Sequence, residues 1–136
     1  FVEGDELHPP DNVSLMAAGT PLTDADRAGW LAEIGARLAR AQAEGQGLVV
    51  SCSALKRRYR DGLRNACPGL HFVYLHGPAM LLRQRLAERT GHYMPPSLLD
   101  SQLATLEPPG ADENAVCIDI HPSSAQVAAA RKFTYS

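Results

Sequence analysis

The sequence predicts an α/β domain: an open sheet of parallel strands with helices on both faces. Three observations carry that prediction. Four short stretches, the last three apolar and rich in Val, Ile and aromatic residues, have the length and boundaries of buried strands. Between them lie segments with apolar residues at helical spacing, and strands alternating with helices imply parallel pairing through right-handed crossovers. The 136 residues are 45% hydrophobic, enough for one compact core and short for two.

The first strand is Phe1–Glu3. Asp11 can cap a short helix ending near Gly19, since its side chain accepts from the free N–H groups of a first turn. Thr23, with Asp26 three residues later, resembles a capping box that opens a longer helix. There Trp30, Ile34, Leu38 and Ala41 form one apolar stripe, while Arg37, Arg40 and Glu44 fall elsewhere. Leu48–Cys52 is the second strand. A helix follows from about Leu55, with Leu55, Tyr59, Leu63 and Ala66 apolar and Lys56, Arg60 and Arg64 on a separate row. Phe72–Leu75 is the third strand. Pro78 suits the first turn of the next helix, where its missing N–H is not needed, and Leu82 and Leu86 form the packing pair. Gly91–Pro96 interrupts regular structure, Ser97–Leu106 is helical again, and Pro108-Pro109-Gly110 ends it. Val116–Ile120 is the last strand and Ser124–Lys132 the last helix. The strands read as covered on both faces.

Thirteen Lys and Arg against fifteen Asp and Glu leave a net charge of −2, too balanced for a chain that coats nucleic acid or an anionic membrane. No apolar run approaches the ~18 residues of a membrane span, and the first residues lack the basic and apolar regions of a secretory signal. No membrane and no nucleic-acid partner is therefore expected. Cys52, Cys67 and Cys117 show neither CxxC nor Cys/His spacing, so no disulfide framework and no metal site is implied. A reducing cytoplasm fits such a chain.

In an open α/β sheet, ligands sit at the carboxyl ends of the strands. Asp5 follows the first strand, where a carboxylate can orient a hydroxyl nucleophile or take its proton; capping a turn is the equal alternative. His8, beside Pro9, reads first as a loop residue. Lys56 and Arg60, nearest the end of the second strand, suit an anionic ligand, whereas Arg57, Arg58 and Arg64 read as a solvated face. Arg85 and Arg89 lie one helical turn apart before Thr90-Gly91-His92-Tyr93. They could clamp a polyphosphate under a closing lid, although spacing alone favours a helix end whose cations complement the macrodipole. Trp30 reads as core, and Cys52 and Cys117 as packing residues. Asp119, His121 and Pro122 read as a turn, with a nucleotide-base pocket as the alternative.

Several blocks strongly resemble the gluconokinase family. They are Gly4-Asp5-Glu6-Leu7-His8-Pro9 with Asn12, then Met16 to Arg27 followed by Trp30-Leu31, and Cys52-Ser53-Ala54-Leu55-Lys56 with Tyr59-Arg60-Asp61. Arg85-Leu86 and Arg89-Thr90-Gly91-His92-Tyr93-Met94-Pro95-Pro96 continue into Ser101-Gln102-Leu103 and Leu106-Glu107-Pro108-Pro109. The resemblance implies a single three-layer P-loop kinase-like domain over residues 1–136, a parallel sheet flanked by helices, with a lid at about 85–108. It implies transfer of the γ-phosphate of magnesium-ATP to the 6-hydroxyl of D-gluconate, giving 6-phosphogluconate, by a cytoplasmic enzyme. Asp5 would orient or deprotonate the acceptor hydroxyl. His8, Arg27, Lys56 and Arg60 would hold the sugar acid. Arg85 would pack on adenine, and Arg89 and His92 would lie in the lid near the phosphates. A homodimer is left open.

The family's phosphate loop, GxxxxGK(S/T), is absent from the 136 residues, as are the strand before it and the helix after it. The expectation is a fold missing its first, central strand, with two strand pairs left apart and no phosphate transfer by this polypeptide alone. Two rivals are kept: a non-catalytic gluconate-binding or regulatory remnant, and a related small-molecule kinase of the shikimate kinase type.

Overall fold

The computed structural model describes residues 1–88 and 95–121. In chain order their elements are β1 (Val2–Glu3), a 3-10 turn (Gly4–Leu7), α1 (Pro10–Ala17), α2 (Asp24–Ala43), β2 (Val50–Ser51) and α3 (Arg57–Ala66). Then come β3 (Val73–His76), α4 (Ala79–Glu88), α5 (Pro96–Thr105), a second 3-10 turn (Ala111–Glu113) and β4 (Val116–Asp119). They form two compact units, Phe1–Leu70 with Tyr93–Pro108, and His71–His92 with Pro109–Ser136.

In the first unit β1 and β2 pair in parallel, Val2 opposite Val50 and Glu3 opposite Ser51. The core is built by α2 and α3. Both halves of the capping box form: the Asp26 N–H donates to Thr23 Oγ1 at 3.1 Å, and the Thr23 N–H donates to Asp26 Oδ2 at 2.9 Å. With its first turn satisfied, α2 presents Trp30, Ile34, Leu38 and Ala41 as one buried stripe toward α3, where Tyr59 and Leu63 are buried. Gly35 allows the close approach, because a Cβ there would lie 3.0 Å from the Ala66 Cβ.

α1 starts at Pro10, two residues earlier than an Asp11 cap would place it, and no side chain caps it. Proline at the first helical position needs no partner for its nitrogen, which leaves Asp11 inside the first turn, where it favours the helix dipole. α5 carries a proline at its own first turn and buries Leu98.

In the second unit β3 and β4 pair in parallel from Val73 opposite Val116 to His76 opposite Asp119. α4 buries no residue fully; Leu82 and Leu86 are half-buried. The four strands lie near where the apolar stretches placed them; β1, β2 and β4 are shorter, β3 is displaced by one residue, and they are not covered on both faces. Leu75 is 53% exposed, and Val49 and Cys117 are also exposed. Cys117 is therefore not the packing residue expected. Of the break expected over Gly91–Pro96, residues 91–94 lie outside the described residues, as do Pro122 and the helix expected over Ser124–Lys132, while Pro96 already belongs to α5.

Candidate functional site

The carboxyl end of β1 is held by contacts that only glycine permits. The Gly4 N–H donates to Ser51 Oγ at 3.3 Å, and Trp30 Nε1–H donates to the Gly4 carbonyl at 2.7 Å. A Cβ on Gly4 would collide with the Ser51 carbonyl oxygen. This clamp places Asp5, the next residue, in the exposed 3-10 turn. Its carboxylate acts electrostatically on His8, Arg27 and Cys52, so these four groups share one neighbourhood.

His8 is buried and stacks on Trp30, with ring centroids 4.1 Å apart and planes 15° from parallel. Its Nδ1 lies 3.3 Å from Asn12 Nδ2, and that amide also donates to the Asp26 carbonyl at 2.8 Å. Burial pushes the imidazole below its ordinary value of 6.5; Asp5 pulls it up and Arg27 pushes it further down. A neutral ring whose Nδ1 accepts from Asn12 satisfies this arrangement.

Arg27, on α2, is only 6% exposed. Its guanidinium carbon lies 5.9 Å from the ring centroids of both Trp30 and Tyr59. Nη1 donates to the Ser53 carbonyl at 3.4 Å and to Ser53 Oγ at 3.3 Å, both long, and no carboxylate pairs with it among the described residues. Burial lowers its pKa, while Tyr59, Cys52 and Asp5 oppose that shift. Cys52, beside it, has its thiol pushed up to about 12 by burial.

Lys56 and Arg60 are differently engaged. Lys56 Nζ donates to both Asp24 oxygens, at 3.1 and 3.3 Å, and lies 5.8 Å from the Tyr59 ring; Arg58 and the Tyr59 hydroxyl meet the same carboxylate. Lys56 and Arg27 thus both lie near the Tyr59 ring, their charged groups 5.8 and 5.9 Å from its centroid. Arg60, expected on a row apart from the apolar one, is 3% exposed. Its Nη1 donates to the Ala54 and Leu55 carbonyls at 2.9 and 3.2 Å, and its Nη2 to the Glu107 carbonyl at 2.8 Å. On a helix, residue 60 neighbours 63 as well as 56, so this row borders the buried one.

In the second unit Arg85 is half-buried, and its Nη2 donates to the His121 carbonyl at 3.4 Å. Asp119 Oδ1 accepts from the His121 N–H at 2.8 Å, which is the turn expected there. Arg89 and His92 lie outside the described residues.

The structure therefore brings Asp5, His8, Arg27 and Lys56 around Trp30 and Tyr59 and turns Arg60 toward main-chain carbonyls. Sequence reasoning placed Trp30 in the core and did not see that it also carries His8. Asn12, four residues after His8, was the available signal for that pair. Asp24, which pairs with both Lys56 and Arg58, gave no signal, since it lies 32 residues from Lys56 in sequence.

The chain is 51% identical over 124 residues to the gluconokinase of Gluconobacter oxydans, covering 90% of this chain and 70% of that protein. The chain belongs to the gluconokinase family. Two solved structures agree. A gluconokinase from Sinorhizobium meliloti matches with a TM-score of 0.80 at 48% identity, covering 98% of this chain and 79% of that one. A sugar kinase from a Janibacter species matches with a TM-score of 0.89 at 41% identity, covering 98% and 76%. No protein-family model matches the chain. The fold is the α/β fold of these P-loop sugar kinases, with parallel strands flanked by helices. No helix among the described residues is long and apolar enough to cross a membrane.

Proposed function

We propose that this gluconokinase-family chain forms the acceptor side of a gluconate kinase, in which ATP donates its γ-phosphate to the 6-hydroxyl of D-gluconate. The observation that carries the reading is Arg27: a cation 94% removed from solvent without a carboxylate partner among the described residues, in the same neighbourhood as Asp5. A buried charge is costly unless a partner arrives, and a guanidinium grips a carboxylate through two parallel hydrogen bonds. Arg27 is the anchor for the acid end of the substrate. Asp5 orients the acceptor hydroxyl and serves as the base that accepts its proton. His8 supports both from beneath, as a neutral ring on Trp30. Lys56 adds positive potential next to the acceptor, held in place by Asp24. Arg60 acts through the main chain, holding the Ala54–Leu55 loop, and is a positioning residue.

The donor side is another matter. The 136 residues contain no GxxxxGK(S/T) stretch, and among the described residues no group of three or more His, Cys, Asp or Glu could hold a metal ion. These residues do not fit a magnesium-triphosphate site, and no step is derived through one. Arg85, Arg89 and His92 stay candidates for the nucleotide by resemblance to the family. Three free cysteines support a reducing, cytoplasmic setting.

Calorimetry and a coupled ADP-release assay test the reading. The 136-residue chain is expected to bind gluconate and to release no ADP. A chimera with a gluconokinase's strand, GxxxxGK(S/T) loop and helix joined ahead of Phe1 is expected to turn over with gluconate. Turnover with shikimate but not gluconate would overturn the acceptor assigned here. Binding without turnover in the chimera would favour a gluconate-binding remnant.

A further inference from the structure

Beside Arg27 the first unit opens a pocket whose opposite wall is α5. Arg27, Met16 and Leu22 contribute on one side, and Ser101, Gln102 and Thr105 on the other. These three α5 residues, with the buried Leu98, are spaced i, i+3, i+4 and i+7, the pattern of a single helical face. A helix ordinarily turns an apolar face toward its own protein. Here three of the four positions are polar. Their side chains make no hydrogen bond among the described residues, and no sealed side-chain N or O atom is without a partner. They therefore keep their hydrogen-bonding capacity toward the pocket and its solvent.

α5 is tied down at its far end. Past Thr105, the Glu107 N–H donates to the Leu55 carbonyl at 2.8 Å, Glu107 Oε1 accepts from the Arg57 N–H at 3.0 Å, and the Glu107 carbonyl accepts from Arg60 at 2.8 Å. This latch fixes the helix against the loop that carries Lys56. The polar face is thus held in place opposite a buried guanidinium that has no carboxylate partner among the described residues.

We propose that α5 is the specificity wall of the acceptor pocket. Gln102, assisted by Ser101 and Thr105, reads the hydroxyl groups adjacent to the carboxylate that Arg27 holds. The inference rests on the gluconate reading above and extends it to residues given no role there. A carboxamide both donates and accepts, so it can bridge two neighbouring hydroxyls, and a hydroxyl beside it can serve a third. The ligand class is a small monocarboxylate hydroxylated along its chain.

Trp30 is the only tryptophan, buried next to Arg27, and its emission reports occupancy. The 136-residue chain is titrated with gluconate and with hexanoate, which keeps the carboxylate and lacks the hydroxyls. Two variants are compared: Gln102→Met, which retains side-chain length, and Thr105→Val, which retains shape. Wild type is expected to prefer gluconate. Gln102→Met should weaken gluconate roughly tenfold and Thr105→Val by about threefold, with hexanoate affinity unchanged in both, because only hydroxyl hydrogen bonds are lost. If both variants bind gluconate as wild type does, the wall is not α5, although the acceptor assignment stands. If a variant loses gluconate and hexanoate alike, α5 is structural and the proposal fails. If wild type binds no gluconate, the functional reading fails with it.

Discussion

Arg27 and Arg60 are both buried arginines, and their environments make opposite predictions. Arg60 spends its donors on three main-chain carbonyls. Arg60→Met should cost about 3 kcal/mol, since buried acceptors lose their donors, and should lower the urea midpoint accordingly. Arg27 has a weaker return, two long hydrogen bonds to Ser53 and the nearby Trp30 and Tyr59 rings. Arg27→Met should change stability by no more than ~1 kcal/mol, because the cost of burying a guanidinium that has no carboxylate partner among the described residues offsets its contacts with Ser53 and the two rings. The same variant should weaken gluconate binding ~10- to 100-fold by calorimetry. Sequence spacing ranked Arg60 among the ligand groups by position, and only the fold reveals which carbonyls surround it. His8 adds a pH signature. Its folded pKa lies below 6.5, so the unfolded chain binds the extra proton first, and stability falls as pH drops below 6.5 toward the folded value. In His8→Gln this slope should vanish from urea titrations. The weakening due to Asp26, whose pKa is held down by Thr23, should persist in that variant at lower pH, below 3.8.

At the level of elements, local chemistry was readable and orientation was not. The Thr23 and Asp26 pair announced the start of α2, and Thr23→Ala should cost about 1 kcal/mol by denaturant titration, through loss of one side of the capping box. The strand positions followed from short apolar runs, but their exposure did not, because strand signals do not say what covers a face. α5 was legible as a helix. Which way its polar stripe points depends on Glu107, whose partners at 55, 57 and 60 are remote in sequence. Gly4 is a further case. A glycine before Asp5 reads as an ordinary turn residue until the Ser51 carbonyl is seen against it. Gly4→Ala should force β1 from β2 and cost roughly 1–3 kcal/mol, and it should lower gluconate affinity through displacement of Asp5.

On the scale of the molecule, the described residues form two separate two-stranded parallel sheets, β1 with β2 and β3 with β4. The expectation of two strand pairs came from family resemblance and the missing motif, not from composition. Parallel strands with open edges and exposed Val49 and Leu75 can pair with other copies. Concentration-dependent association is therefore expected in sedimentation velocity, and a chimera supplying a strand should reduce it. The thiols distinguish the two units chemically. Cys52 in the first stays protonated at neutral pH and Cys67 is buried, whereas Cys117 on β4 is open to solvent. A maleimide dye should alkylate Cys117 well ahead of the others, giving an optical label on the second unit.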